Sequence, residues 1–343
     1  MPHLSHATVS RKTRVATVAA LLGASLAAAV AMPSVAGAAG GTVNLVAYST
    51  PKPAYAALIT AFEATPAGQG VTFAQSYGAS GSQATSVVDG LPADVVNFSL
   101  APDMQKLVKA GLVSSRWDET PTKGMVTDSI VTFIVRKGNP KHITNWASLV
   151  KSGVRVITPN PFSSGSAKWN IMAAYGAELA QGKSKAEARN YVKELLAHTT
   201  SQPTSASNAL EEFLSGEGDV LIDYEDDALY AQRKGEPISI VTPPNTILIQ
   251  NPIAVTTSPS DPTAAKAFEA FLLSTAGQKI WAEQGYRPVL ANVASQFRFA
   301  TPKKIFTIAS LGGWTKVDST FFTPGTGTVA TIEQSLGVST AGG

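Results

Sequence analysis

The stretch "VRVITPNPFSSGSAKWNIMAAYGAEL", Val154 to Leu179, passes from one kind of secondary structure to another in a few residues. Its first part is β-branched and apolar and ends on two prolines, which reads as a buried strand leaving a sheet. Its last part is long, alanine-rich and apolar, which reads as a helix. Between them stand Ser163, Ser164, Gly165 and Ser166, small residues at a helix start. The same junction recurs at "SYGASGSQATSVV" (76–88) and at "QPTSASNALEEFL" (202–214).

Strands and helices alternate on both sides of the opening stretch. Strands are expected at 43–49, 71–77, 93–100, 127–140 and 218–224, and an extended run at 238–257. Helices are expected at 53–65, 82–91, 101–112, from Ser166 onward, and at 185–199, 207–214 and 262–285. This alternation predicts an α/β protein with a largely parallel sheet covered on both faces. The two long extended runs serve as crossings between two doubly wound lobes. The expected division is residues 39–129 for the first part of lobe one, 130–240 for lobe two, and 241–343 for the rest of lobe one with the C-terminal helices. A cleft with a two-strand hinge follows.

The first residues read as an export signal rather than as part of the fold. Arg11, Lys12 and Arg14 precede the apolar, alanine-rich run Val15–Met32, and Ala36-Gly37-Ala38 supplies a cleavage element, so 1–38 is expected to be removed. A transmembrane anchor is the competing reading, and the run is short and poor in leucine for that. The remaining 305 residues hold 24 basic and 24 acidic side chains. A neutral chain lacks the concentrated positive surface that nucleic acid requires. There is no cysteine, so neither a disulfide nor a lipid-modified cysteine is expected. The chain is expected to be soluble after cleavage and monomeric.

Each serine-rich helix start has an ordinary explanation, because a serine oxygen can accept from the orphan N–H groups of a first turn. Three of them at strand ends have another. A helix start carries about half a positive charge and outward-pointing amides, Gly165 lets backbone approach a ligand closely, and hydroxyls can turn their hydrogens to the same acceptor. Three starts aimed at one cleft make a site for a small oxyanion with no lysine in contact. Tyr224, ending the strand "GDVLIDY", can add a hydroxyl donor or be a core aromatic. Lys168 reads as a nearby cation or a solvated helix residue. Ser49, closing the first strand, is a lip candidate. Asp223 is expected on the opposite face of its strand from Tyr224, and a carboxylate turned into the site would admit protonated phosphate.

At these residues the chain resembles the sulfate-binding proteins of ABC importers. The blocks that carry the resemblance are "QSYGASGSQATSVVDGLPADVV" (75–96), "VRKGNPKHITNW" (135–146), "GVRVITPNPFSSGSAKWN" (153–170), "GDVLIDYEDDAL" (218–229), "GQKIWAEQGYRPV" (277–289) and "GGWTK" (312–316), in order over nearly all of the chain after the signal. The resemblance implies a two-lobed periplasmic binding protein of type II with no cofactor and no metal. It implies sulfate held by Ser80, Ser164, Gly165, Ser166, the backbone N–H of Ala206 and Tyr224, and an ABC permease as partner. Ser49 and Lys168 would stand behind that first layer. Ser166, Lys168, Tyr224 and Ser49 stand where well-known members have glycine, arginine, tryptophan and aspartate. Thiosulfate, molybdate and phosphate are the alternative ligands.

An enzyme reading finds little. "GASGS" (78–82) resembles a nucleophile elbow that would use Ser80, but Ser82 occupies the position where the motif needs glycine. His142 and His198 are the histidines left after the signal, in a turn and near a helix end, without a partner at suggestive spacing. "GAELAQGKS" (176–184) misses the phosphate-loop spacing, and Gly182 reads as a helix C-cap. Metal ligation has no paired histidines to support it. The acidic run "YEDDAL" (224–229) is expected to be solvated.

Overall fold

The computed structural model describes residues 40–341, so the expected signal 1–38 lies outside the described residues. In chain order the strands are β1 (Thr42–Tyr48), β2 (Thr72–Gly78), β3 (Val95–Asn97), β4 (Met125–Arg136), β5 (Val156–Ile157), β6 (Thr199–Ser201), β7 (Val220–Tyr224), β8 (Ile238–Val241), β9 (Asn245–Val255), β10 (Arg287–Pro288) and β11 (Lys304–Phe306). The helices are α1 (Lys52–Glu63), α2 (Ser80–Val88), α3 (Ala101–Lys109), α4 (Gly165–Ala180), α5 (Lys185–Ala197), α6 (Ala206–Leu214), α7 (Glu225–Arg233), α8 (Pro262–Leu272), α9 (Thr275–Glu283), α10 (Ala291–Ala294), α11 (Gly313–Val317) and α12 (Thr328–Ser335).

The strands follow the path β2-β1-β3-β9-β4-β7-β5-β6. Lobe one is the parallel set β2-β1-β3. Tyr55, Leu58 and Phe62 of α1, three to four residues apart, join Phe268 and Trp281 on one face of it. Ala84, Phe98, Met104 and Leu107 cover the other face. Lobe two is built on β7-β5-β6, again parallel from β7 to β6. Phe213 and Ala228 cover one face of it, while α4 and α5 cover the other with Trp169, Met172 and Leu195. In α4, twelve of sixteen residues are buried, which is why its sequence shows no polar stripe.

β4 and β9 cross between the lobes, as their length predicts. They pair antiparallel from Met125↔Pro252 to Ile130↔Leu248. Beyond that, β4 pairs with β7 and β8 in lobe two, and β9 pairs with β3 in lobe one. Two details differ from expectation. The run 262–285 is two helices, because Ser274 caps α9 by accepting from Gly277 N–H at 3.1 Å. The C-terminal residues expected in lobe one return to lobe two: β11 pairs with β9, and Phe306, Val317, Phe321 and Val329 share the core of Phe133, Trp146 and Trp169. Their apolar spacing is the same whichever core receives it.

Candidate oxyanion site between the lobes

α2, α4 and α6 begin at the three junctions singled out in the sequence, and the serines behave differently at each. At α6 the ordinary explanation holds: Ser205 Oγ accepts from Asn208 N–H at 3.2 Å. At α2 the N-cap is Ala79, and at α4 it is Ser164, and neither helix start has a side-chain capping bond. The first-turn amides of α2 and α4 are therefore not quenched by their own serines. Ser164 Oγ instead lies 2.8 Å from Ser166 Oγ, both residues buried.

Ser80 is the first residue of α2. Its hydroxyl donates to Asp103 Oδ2 at 2.7 Å and accepts from Ser99 N–H at 2.9 Å. The hydroxyl is thus occupied within lobe one. Asp103 also faces the Lys106 ammonium at 3.4 Å, so this cation near the start of α2 is already paired.

The starts meet across the lobes. Gly81 N–H of α2 donates to Ser163 O at 3.1 Å, and a Cβ on Gly81 would stand 2.9 Å from that oxygen. A Cβ on Gly165 would fall 2.5 Å from Leu100 Cδ2 and 2.9 Å from Ser99 Oγ. Only glycine lets α4 begin against lobe one here. Ser163 Oγ donates to Thr204 O at 2.8 Å, which sets the start of α6, with the buried Ala206 as its first residue, beside that of α4. Tyr224 belongs to the lobe-two core, and its hydroxyl lies 2.7 Å from Ser99 Oγ.

Ser99 was missed by sequence reasoning, although it sits at a fourth strand-to-helix junction, "NFSLAP". Trp169 Nε1 and Asn251 Nδ2 donate to its carbonyl at 2.8 and 3.0 Å. The lobes are therefore closed on each other around this residue. At the lip, Ser49 Oγ accepts from Ser207 N–H at 3.5 Å, and a cavity of about 970 Å³ opens outward past Ser49, Thr50, Lys52, Ser207 and Lys234. Lys168 is part-buried, and its ammonium donates to Asp318 Oδ1 at 2.9 Å.

The acidic run, expected in solvent, is buried instead. Glu225, Asp226 and Asp227 are all buried in the first turn of α7, where carboxylates favour the helix dipole. Glu225 accepts twice from Arg287, at 2.6 and 3.0 Å, Asp226 accepts from Ser129, and Asp227 accepts from Thr50 at 3.0 Å. Burial pushes Asp223, Asp226 and Asp227 well above the usual carboxylate range. Asp223 lies on the face away from Ser99, as alternation predicts, and accepts from Tyr224 N–H at 2.9 Å.

Comparison with known proteins bears on this geometry. Residues 43–287 match the model of the family described as bacterial extracellular solute-binding protein. This chain belongs to that family. Among relatives of this solute-binding protein, the sulfate-binding protein of Synechococcus elongatus is 38% identical over 294 residues, which is 82% of this chain and 84% of the relative. The thiosulfate-binding protein of Pseudomonas aeruginosa is 33% identical over 75% of this chain and 81% of its own. The solved structure of the sulfate-binding protein SubI from Mycobacterium tuberculosis H37Rv superposes with a TM-score of 0.81 at 46% identity, covering 82% of this chain and all of that one. The fold is the two-lobed type II binding-protein architecture.

Proposed function

We propose that this solute-binding protein takes up sulfate between its closed lobes and delivers it to the membrane subunits of an ABC importer. The observation that carries the reading is that α2 and α4 begin at the lobe contact with serines that do not cap them. Those amides face an anion site built of donors. The donors are the amides of Ser80, Gly165, Ser166 and Ala206, with the hydroxyls of Ser164 and Tyr224. Charge-assisted hydrogen bonds contribute about 1.5–3 kcal/mol each, and a micromolar ligand needs about 8 kcal/mol net, so a few of these suffice. The names of the sulfate-binding relatives support sulfate over other oxyanions.

Phosphate near neutral pH keeps a proton that needs an acceptor, and the carboxylate beside the start of α2, Asp103, is already engaged by the Ser80 hydroxyl and the Lys106 ammonium. An unmatched proton costs several kcal/mol. We read the protein as a carrier rather than an enzyme. His142 sits in an exposed turn at φ 50°, the His198 ring contacts Val154 O, and the Ser80 hydroxyl is held by the Asp103 carboxylate rather than by an imidazole. Export to the periplasm or cell surface as a monomer completes the reading. Among the described residues no helix is long and apolar enough to cross a membrane, and no group of three His, Cys, Asp or Glu could hold a metal ion. Titration calorimetry tests the proposal: sulfate should bind with micromolar or tighter affinity and phosphate negligibly. Preference for thiosulfate or molybdate over sulfate would overturn the assignment.

A further inference from the structure

We propose that Ser99 positions the Tyr224 hydroxyl, so that the two form one relay donating a single hydrogen to the bound oxyanion. This deepens the sulfate reading and rests on it. The main chain of Ser99 is held from three directions. Its N–H donates to Ser80 Oγ, which in turn donates to the acceptor-only Asp103 carboxylate, so the polarity of that chain is set. Its carbonyl accepts from Trp169 of α4 in lobe two and from Asn251 of the crossing strand β9. Asn251 is itself oriented, because its Oδ1 accepts from Thr127 Oγ1 at 3.2 Å on the other crossing strand. The side chain of Ser99 is thereby delivered to one place, with its Oγ 2.7 Å from Tyr224 Oη.

Both residues are nearly fully buried, at 1% and 0% exposure. Two hydroxyls joined by one hydrogen bond have two hydrogens, and the bond uses one of them. Whichever oxygen donates within the pair, one hydrogen is left for an acceptor outside it. Burial raises the Tyr224 hydroxyl well above its ordinary range, so it stays a protonated donor. The start of α4 lies against the pair, since a Cβ on Gly165 would come 2.9 Å from Ser99 Oγ. Ser99 belongs to lobe one and Tyr224 to lobe two, so the relay exists only when the lobes have closed. It makes closure and the last donor one event.

A double-mutant cycle tests this, with sulfate affinity measured by titration calorimetry on native protein, Ser99→Ala, Tyr224→Phe and the double variant. Each single change should weaken sulfate about tenfold, the worth of roughly one charge-assisted bond. The double variant should bind within about twofold of the weaker single one, because the relay is already broken. The tyrosine ultraviolet difference produced by adding sulfate to the native protein should shrink in Ser99→Ala. Native affinity in Ser99→Ala, or losses that multiply in the double variant, would overturn the relay. If Ser99→Ala does not fold, Tyr224→Phe decides alone, and unchanged affinity there counts against the proposal. The native titration separates the two readings: no sulfate binding by native protein removes the function itself, whereas native binding with unaffected variants removes only the relay.

Discussion

Gly165 and Ser164 stand side by side and meet opposite demands. Ser164 needs its side chain, which lies against Ser166, whereas Gly165 must have none, because Leu100 and Ser99 occupy the space a Cβ would take. In an open form, with the lobes apart, that space is free. Gly165→Ala should therefore cost ligand-free stability little, under about 1 kcal/mol and of either sign, since alanine is the better helix former. It should weaken sulfate by tenfold or more by holding the lobes apart. Thermal unfolding without ligand, paired with calorimetry, checks both halves, and native sulfate affinity would show that closure does not bring α4 against Ser99. Much at this scale was legible. Gly165 declared itself by standing among serines at a helix start, and Gly182, with φ 85° just past the end of α4, declared itself by helical phase. The fate of the Ser80 hydroxyl was not legible, because Asp103 lies 23 residues away on another helix.

At the scale of elements, the first turn of α7 links lobe two to everything it must move against. Glu225 reaches Arg287 next to β4, Asp226 reaches Ser129 on β4, and Asp227 reaches Thr50 in lobe one. Arg287→Met should leave Glu225 buried without its partner and destabilise the protein by about 3 kcal/mol, as for other broken buried pairs. Urea unfolding measures this, and a loss under about 1 kcal/mol would make the pair a surface-like contact. One residue before Ser129, Asp128 is half-buried on β4, and burial pushes its carboxyl up from 3.8 to about 7, against the opposing pull of Gln250 and Arg287. A carboxyl raised in the fold binds its proton more tightly there than in the unfolded chain. Its contribution is most favourable below pH 3.8 and is lost as pH rises toward about 7. Asp128→Asn, neutral at every pH, should gain stability relative to the native protein across that range, reaching roughly 2 kcal/mol at about pH 8, a discounted share of ~1.4 kcal/mol per unit. Thermal midpoints against pH show it, and parallel curves would mean that Asp128 ionises as freely in the fold as outside it. None of this was legible in "YEDDAL", which by composition belongs to solvent. Such a run is buried only when serine, threonine and arginine from three other segments arrive to receive it.

For the molecule as a whole, the contacts describe a closed form with two crossing strands and a C-terminal segment packed on lobe two. If sulfate selects that form, small-angle scattering in saturating sulfate should give a radius of gyration near the ~19 Å of a compact chain of about 305 residues. The ligand-free radius should be larger, and one that does not respond to sulfate would argue against hinge closure. From the amino-acid order alone came the α/β class, the two crossings and the three helix starts. Each of these is written in a few consecutive residues, as period, small-residue junctions and strand length. Only the tertiary structure decided that Ser80 donates to Asp103, that Ser99 meets Tyr224 across 125 residues, that the acids of α7 are buried, and that residues 304–332 pack on lobe two. The reason is the same in every case. A hydroxyl or carboxylate takes its role from whichever donor or acceptor lies within about 3 Å, and distance along the chain carries no record of that neighbour.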